Sequence, residues 1–303
     1  MKRQLAVTFL ALAALVAGAC GGAAGPAGAK PTVIVGSTNF YEQVILGELY
    51  AQVLEADGYT VERRFNLGNR EIVQPALQSG QIDLLAEYLA TLVVFLDSEA
   101  EPTTDKTETA EVLQGLLEPI GLTLLEPADA TDQNGIVVTK ETADRLGLSK
   151  VSDLEPVAGD LVFGAPPECP EREFCAIGLR DKYGITFKEF RPLDAGGPLT
   201  VAALEGNQID VALLFTSDPS IVAKGFVLLE DDKQLQLADN IAPVVRTELL
   251  DEDPGEGIEA LLNSVSAKLS QDELNGLNTE VAVEQKDPAD VAAAWLKKQG
   301  LVN

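Results

Sequence analysis

Apolar residues along this chain recur with two different periods, and the switches between them mark its elements. Residues 32–35 alternate and are rich in β-branched side chains, which predicts an opening strand broken at Gly36-Ser37-Thr38-Asn39. Val44, Ile45, Leu49, Val53 and Leu54 then fall on one helical face. Asn39 followed by Glu42 predicts a capped start to that helix, and Gly58 its end. A strand is expected over 59–65 and another over 82–85, the latter running into Ala86-Glu87-Tyr88. Helical spacing returns over 107–117. Strands are predicted at 135–139, 161–164, 186–190 and 211–215, and a helix over 176–183. Two amphipathic helices, about 257–269 and 288–299, close the chain after the turn Asp253-Pro254-Gly255.

Within this pattern one phrase occurs twice, about 127 positions apart: ALQSGQIDL at 76–84 and ALEGNQIDV at 203–211. Each copy follows a Gly-containing loop, Asn66-Leu67-Gly68-Asn69 or Asp194-Ala195-Gly196-Gly197, and a short helix. Pro198 suits the first turn of the second helix, whereas Pro75 lies inside the first and is expected to kink it. Two related α/β units predict two facing lobes with a ligand cleft between them; the alternative is chance likeness between two helix–turn–strand segments. Loop-like sequence near 127–132 and 228–232 gives the two crossovers. Residues 32–130 with 236–303 then form one lobe and 131–235 the other. Asp83 and Asp210 open matched strands, so both are expected to be structural.

The first residues lie outside this organisation. Lys2 and Arg3, an apolar run over 5–16 and the exit Ala17-Gly18-Ala19-Cys20 read as a signal peptide over 1–19. Cys20 fits a lipidated first residue of the mature chain, and the Gly/Ala-rich stretch within 20–31 fits a flexible tether. Ala-Gly-Ala also fits an ordinary cleavage that releases a soluble protein. No other segment has the length and apolarity of a membrane span, so the chain is not itself a pore.

Charge and chemistry narrow the function. With 22 Lys+Arg against 48 Asp+Glu the net charge is −26, which disfavours nucleic acid as a partner. There is no P-loop motif, no G-x-S-x-G and no histidine, so neither ATP hydrolysis, serine-type hydrolysis nor a histidine metal site is supported. No enzyme activity, metal or cofactor is expected. Cys169 and Cys175, in ECPEREFC, form an even pair in an exported chain once Cys20 is lipidated. A structural disulfide is the reading preferred over a metal or redox pair.

The phrases VGSTNFYEQVILGELYAQVLEADGYTV, LGNREIVQPALQSGQIDLLAEY, FGAPPECPEREFCAIGLRDKYGI, LDAGGPLTVAALEGNQIDVALLFTSD and VLLEDDKQLQLADNIAPVV resemble the substrate-binding proteins of glycine betaine/choline-type (osmoprotectant) ABC importers. The resemblance runs from residue 32 nearly to the C-terminus. It implies an α/β, bilobal periplasmic-binding-protein fold of type II, with two crossovers and a cleft. By position it carries ligand contacts to Ser37, Thr38, Asn39, Gln43, Asn66, Gly68, Tyr88 and Thr91 from one lobe. Gln133, Asn134, Phe215, Thr216 and Asp218 come from the other.

A quaternary ammonium has no hydrogen to donate and is held by aromatic faces. The chain departs from the family here. Thr38 stands where members often have lysine, Phe215 where tyrosine is common, and no tyrosine occurs in Leu237-Ala238-Asp239-Asn240 or beside Asn134-Gly135. The usual positions therefore supply Tyr88 and Phe215 but no four-sided cage. For single residues a bland role stands beside the functional one. Phe215 and Trp295 suit a core, Asn66 and Asn134 suit turns, and Glu168 suits solvent.

The implied function is capture of a small zwitterionic or quaternary-ammonium solute and delivery to a separate permease and its ATPase, by an exported, membrane-anchored monomer. The alternatives are a receptor of the same fold retuned to another polar or aromatic solute, one that reports to a sensor, or, more distantly, a secreted hydrolase.

Overall fold

The computed structural model describes residues 30–253, 255 and 257–303. The signal-like segment 1–19, Cys20 and most of the tether lie outside the described residues. Among the described residues, ten strands form two five-stranded sheets. The first contains β1 (Thr32–Gly36), β2 (Thr60–Arg64), β3 (Leu84–Tyr88) and β4 (Leu122–Leu124), in the order β2-β1-β3-β10-β4. The second contains β5 (Asn134–Val138), β6 (Val162–Ala165), β7 (Glu189–Pro192), β8 (Val211–Phe215) and β9 (Val227–Leu228), in the order β7-β6-β8-β5-β9. β10 (Ile241–Arg246) returns to the first sheet and pairs antiparallel with both β3 and β4. β5 likewise pairs antiparallel with β8 and β9, while β6, β7 and β8 are parallel. Each sheet thus has the same order, with one strand contributed directly after a crossover.

Twelve α-helices among the described residues cover the sheets. α1 (Tyr41–Ala56), α2 (Arg70–Gln78), α3 (Leu89–Leu96) and α4 (Lys106–Leu117) belong to the first part of the chain. α5 (Lys140–Leu146), α6 (Gly178–Tyr183), α7 (Pro198–Glu205) and α8 (Ser220–Ala223) follow among the strands of the second sheet. α9 (Thr247–Glu252), α10 (Gly257–Ser266), α11 (Gln271–Ala282) and α12 (Pro288–Lys298) end the chain. α1 is buried almost all round, and Ile45, Leu46, Leu49 and Val53 share a core with Ile258, Leu262, Leu274, Leu277, Val291 and Trp295 of the terminal helices.

The repeated phrase has a structural cause. Ile82 and Ile209 pack on Gly36 and Gly164, where a Cβ would lie 2.4 and 2.5 Å from the isoleucine Cδ1. Asp83 and Asp210 follow, and each carboxylate accepts from the neighbouring parallel strand, β1 through Ile34 N and β6 through Val162 N, both at 2.9 Å. The likeness extends to Arg64 and Arg191, which donate at 2.6 Å to the carbonyls of Gln81 and Gln208. These side chains stitch the start of β3 to β1 and the start of β8 to β6, so the expected structural role of both aspartates is met.

Several expectations are corrected. Asn39 does not cap α1: Phe40 occupies the cap position with extended backbone and no side-chain cap bond, and Glu42 turns inward instead. The strand expected at 186–190 is displaced to Glu189–Pro192, because Phe187 is used earlier, stacked on Phe163 at 4.6 Å. α11 lies between the two predicted closing helices, and the apolar pattern does not predict α3, α5, α8 or α9 either. Pro75 lies inside α2, and Pro198 opens α7 as expected. Trp295 is core, 5% exposed, with its indole N–H donating to Glu273.

The two crossovers run side by side. Thr131 and Asn240 form an antiparallel bridge, Asp132 N donates to Asp239 O at 3.1 Å, and Ile241 N donates to Ala130 O at 3.1 Å. Paired extended segments make a narrow connection between sheets, which suits hinge motion of one part against the other.

Candidate functional site

A cavity of roughly 910 Å³, solvent-open part included, lies between the two sheets and takes its walls from both. From the first come the loop after β1 (Thr38, Asn39, Phe40), Gln43 of α1, the start of α2 (Asn69, Arg70), the end of β3 (Glu87, Tyr88), and Thr91 and Val94 of α3. From the second come Asn134 of β5, Phe215 of β8, Ala195 before α7, and Pro166, Glu168 and the segment 172–175 after β6. Asp132 and Asp239 of the crossovers complete it.

Of the residues implicated by the sequence, Thr38, Asn39, Gln43, Tyr88, Thr91, Asn134 and Phe215 line this cavity. The others stand behind it. Ser37 is fully buried, and its hydroxyl accepts from Asn66 N at 2.9 Å, joining the loops after β1 and β2. Asn66 (φ 57°) and Gly68 (φ 138°) take the left-handed conformations that shape the second of these loops. Gln133 and Thr216 bond to each other, with Thr216 N donating to Gln133 O at 2.9 Å, and line a separate hollow in the second lobe. Asp218 accepts from Ser220 N at 2.7 Å at the turn into α8. Glu168 is half-buried and lines the cavity, where the sequence suggested a solvated acid.

Part of the cavity lining is aromatic. The Phe40 ring lies 4.8 Å from that of Phe215, across the two sheets, and 6.3 Å from Tyr88. Phe174 adds a fourth ring to the lining. Phe40 and Phe174 occupy positions that sequence reasoning did not single out. Tyr88 is fixed by its hydroxyl, which donates to Glu42 Oε1 at 2.6 Å, so the ring cannot swing away from the cavity. Glu42 is 1% exposed and also accepts from Ser217 Oγ at 2.7 Å and Asn278 Nδ2 at 2.6 Å. Burial pushes the Glu42 carboxyl up, against those three bonds. Asp132, also buried, is pushed well above the usual carboxylate range by burial and by the charge of Glu42.

The lining is also charged. Arg70 grips Glu87 through Nε at 3.1 Å and Nη2 at 2.7 Å, a bidentate pair with side chains 11% and 2% exposed. Burial lowers the Arg70 pKa, but the Glu87 carboxylate more than offsets it. Arg172 reaches over from the other side of the cavity: Nη2 donates to Glu71 at 2.8 Å, and the guanidinium lies 5.1 Å from the Phe95 centroid. Its buried Nε–H has no acceptor among the described residues. Burial, then repulsion from Arg70, lowers the Arg172 pKa. A buried donor without an acceptor beside a second cation is costly unless an anionic group arrives. Thr38 Oγ1 and Gln43 Oε1 are likewise buried and unpartnered among the described residues. Asp239, 1% exposed, accepts from Thr91 N at 2.8 Å and from the Thr91 hydroxyl, and burial pushes its pKa up to about 6.

Cys169 and Cys175 are joined by a disulfide, and both half-cystines are buried within the cavity wall. Among the described residues, no group of three or more His, Cys, Asp or Glu is placed to hold a metal ion, and no helix is long and apolar enough to cross a membrane.

Two like-ordered sheets joined by paired crossovers, with a polar-and-aromatic cavity between, define a bilobal solute-binding protein. The chain belongs to the family of substrate-binding domains of ABC-type glycine betaine transport systems, whose family model matches residues 31–298. It is 31% identical over 299 residues to a glycine-betaine-binding protein of Pseudomonas aeruginosa, covering 94% of each chain. Its identity to a carnitine transport binding protein of Listeria monocytogenes is 30%, over 89% of this chain and 87% of the other. A solved glycine betaine/carnitine/choline ABC transporter structure superposes with a TM-score of 0.70 at 28% identity, over 89% of this chain and all of that one. The type II periplasmic-binding-protein fold expected from the sequence is thereby established.

Proposed function

We propose that this protein captures a small zwitterion, joining a quaternary ammonium to a carboxylate, outside the cell and hands it to an ABC permease. The observation that carries the reading is the chemical division of one cavity. Four rings, Phe40, Tyr88, Phe174 and Phe215, offer what a cation without hydrogen-bond donors needs. The guanidinium of Arg172, which lines the cavity beside that of Arg70, offers what a carboxylate needs. Relatives that bind glycine betaine in Pseudomonas aeruginosa and transport carnitine in Listeria monocytogenes support the same class. No step of this reading calls for catalysis, a cofactor or a metal.

The rest of the reading follows from the family and the chain's beginning. The permease and its ATPase are separate chains, and the protein acts as a monomer held to the outer membrane face by lipid on Cys20. The lobes are residues 32–130 with 236–303, and 131–235, a division supported by sheet membership. A second reading has its own support: Glu87, Glu168, Glu173 and Asp239 outnumber the two arginines in the lining, which favours a ligand with net positive charge, such as choline. Calorimetric titration of ligand-stripped mature protein with glycine betaine, carnitine and choline decides between them. Micromolar binding of the two carboxylate-bearing solutes, weakened about tenfold or more in Phe40→Ala, is expected. Binding of choline alone would establish the second reading, and silence toward all three would overturn both.

A further inference from the structure

The loop closed by Cys169 and Cys175 carries more of the cavity than its length suggests. Inside this ring lie Arg172, which reaches Glu71 and Phe95 on the opposite side, and Phe174, one of the four rings. The Phe174 carbonyl is a fixed point: it accepts from Asn134 Nδ2 at 3.1 Å and from Gln236 Nε2 at 2.9 Å. Yet the backbone between the cysteines is irregular, with Phe174 and Cys175 departing from helical conformation. A segment without a regular hydrogen-bond ladder keeps a long side chain in place only if something else restricts it.

A cross-link over so short a ring removes much of that freedom in advance. Arg172 needs such restriction, since its Nε–H points at no protein acceptor and Arg70 repels it. Given the reading that the ligand carries a carboxylate, we propose that the Cys169–Cys175 disulfide is a specificity element: it holds Arg172 preorganised for the ligand carboxylate, so that the cavity distinguishes zwitterions from simple quaternary cations. Three of the four rings that serve the ammonium, Phe40, Tyr88 and Phe215, stand outside the disulfide-closed loop and one, Phe174, within it, so the disulfide bears on the carboxylate end of the ligand more than on the other.

The test compares glycine betaine, carnitine and choline in calorimetric titrations of the mature protein and of C169A/C175A. The variant is expected to lose about tenfold or more in affinity for the two carboxylates and less than about threefold for choline. R172Q, with its disulfide intact, is expected to reproduce the same change of ratio. A variant weakened equally toward all three solutes, or toward none, overturns the proposal, because a purely structural staple would not alter the ratio. Should C169A/C175A fail to fold, one glycine inserted between Glu173 and Phe174 loosens the loop while keeping the bridge; an unchanged ratio there overturns it equally. Wild-type protein silent toward all three solutes overturns the functional reading beneath it, an outcome read before any variant is made.

Discussion

Asp239 holds two bonds from Thr91 and is nevertheless pushed up to about 6, because burial outweighs them. An acid whose folded pKa exceeds its unfolded one binds its proton more tightly in the folded chain. Its stabilising contribution is therefore full below the ordinary carboxylate range near pH 4 and is lost as pH rises through about 6. Going from pH 7 to pH 5, the wild type should gain roughly 1 kcal/mol more than Asp239→Asn in urea unfolding. Equal gains in the two proteins would remove Asp239 as the cause. At this scale the sequence disclosed part of the site. Thr38, Gln43, Tyr88 and Asn134 could be placed because they flank strand ends in a recognisable order. Arg70 and Arg172 could not, since nothing in their spacing separates a buried guanidinium from a surface one. Phe40 stood one residue beyond the loop that was singled out, and its ring enters the cavity because it occupies the extended cap position ahead of α1.

Among elements, the junction of β3 with β1 and that of β8 with β6 are built alike but loaded differently. Asp83 is 6% exposed and also pairs with Arg246 at 2.9 Å, whereas Asp210 is half-buried and holds only the backbone of β6 through its carboxylate. Removing Asp83 leaves a guanidinium short of a partner as well as an unmet amide. Asp83→Ala should cost about 3 kcal/mol in chemical unfolding and Asp210→Ala about 1 kcal/mol. The reverse ranking would mean that Arg246 adds nothing at that junction. The repeated phrase made these junctions legible, since strand starts need the same isoleucine and aspartate in both copies. α11 was hidden for the opposite reason. Its buried face contains Leu274 and Leu277 but also Asn278, whose amide donates to Glu42, so a polar residue interrupts the apolar period.

For the molecule as a whole, contacts that hold the lobes closed include Ser217 Oγ to Glu42 Oε2, Arg172 to Glu71 and Phe95, and the Phe40–Phe215 ring pair. Ser217→Ala removes one donor from a buried carboxyl, worth about 1.5–3 kcal/mol for a charged acceptor. Small-angle X-ray scattering should then show a larger radius of gyration without ligand, and affinity should fall about tenfold. An unchanged radius and affinity would place the closing contact elsewhere. The bilobal plan was legible because the repeat spans both halves; the pairing of the crossovers was not, since backbone bonds between extended segments leave no side-chain pattern. One consequence concerns order in time. β5 to β9 are consecutive in the chain, so the second sheet is complete once residue 228 is available, whereas the first waits for residues 241–246 to slot between β3 and β4. A chain delivered N-terminus first therefore finishes its middle before its beginning, and pulsed hydrogen exchange during refolding should protect β8 ahead of β3. Until β10 arrives, β3 and β4 lack the strand that separates them, and the early-made part of the protein stays the longest in need of protection from aggregation.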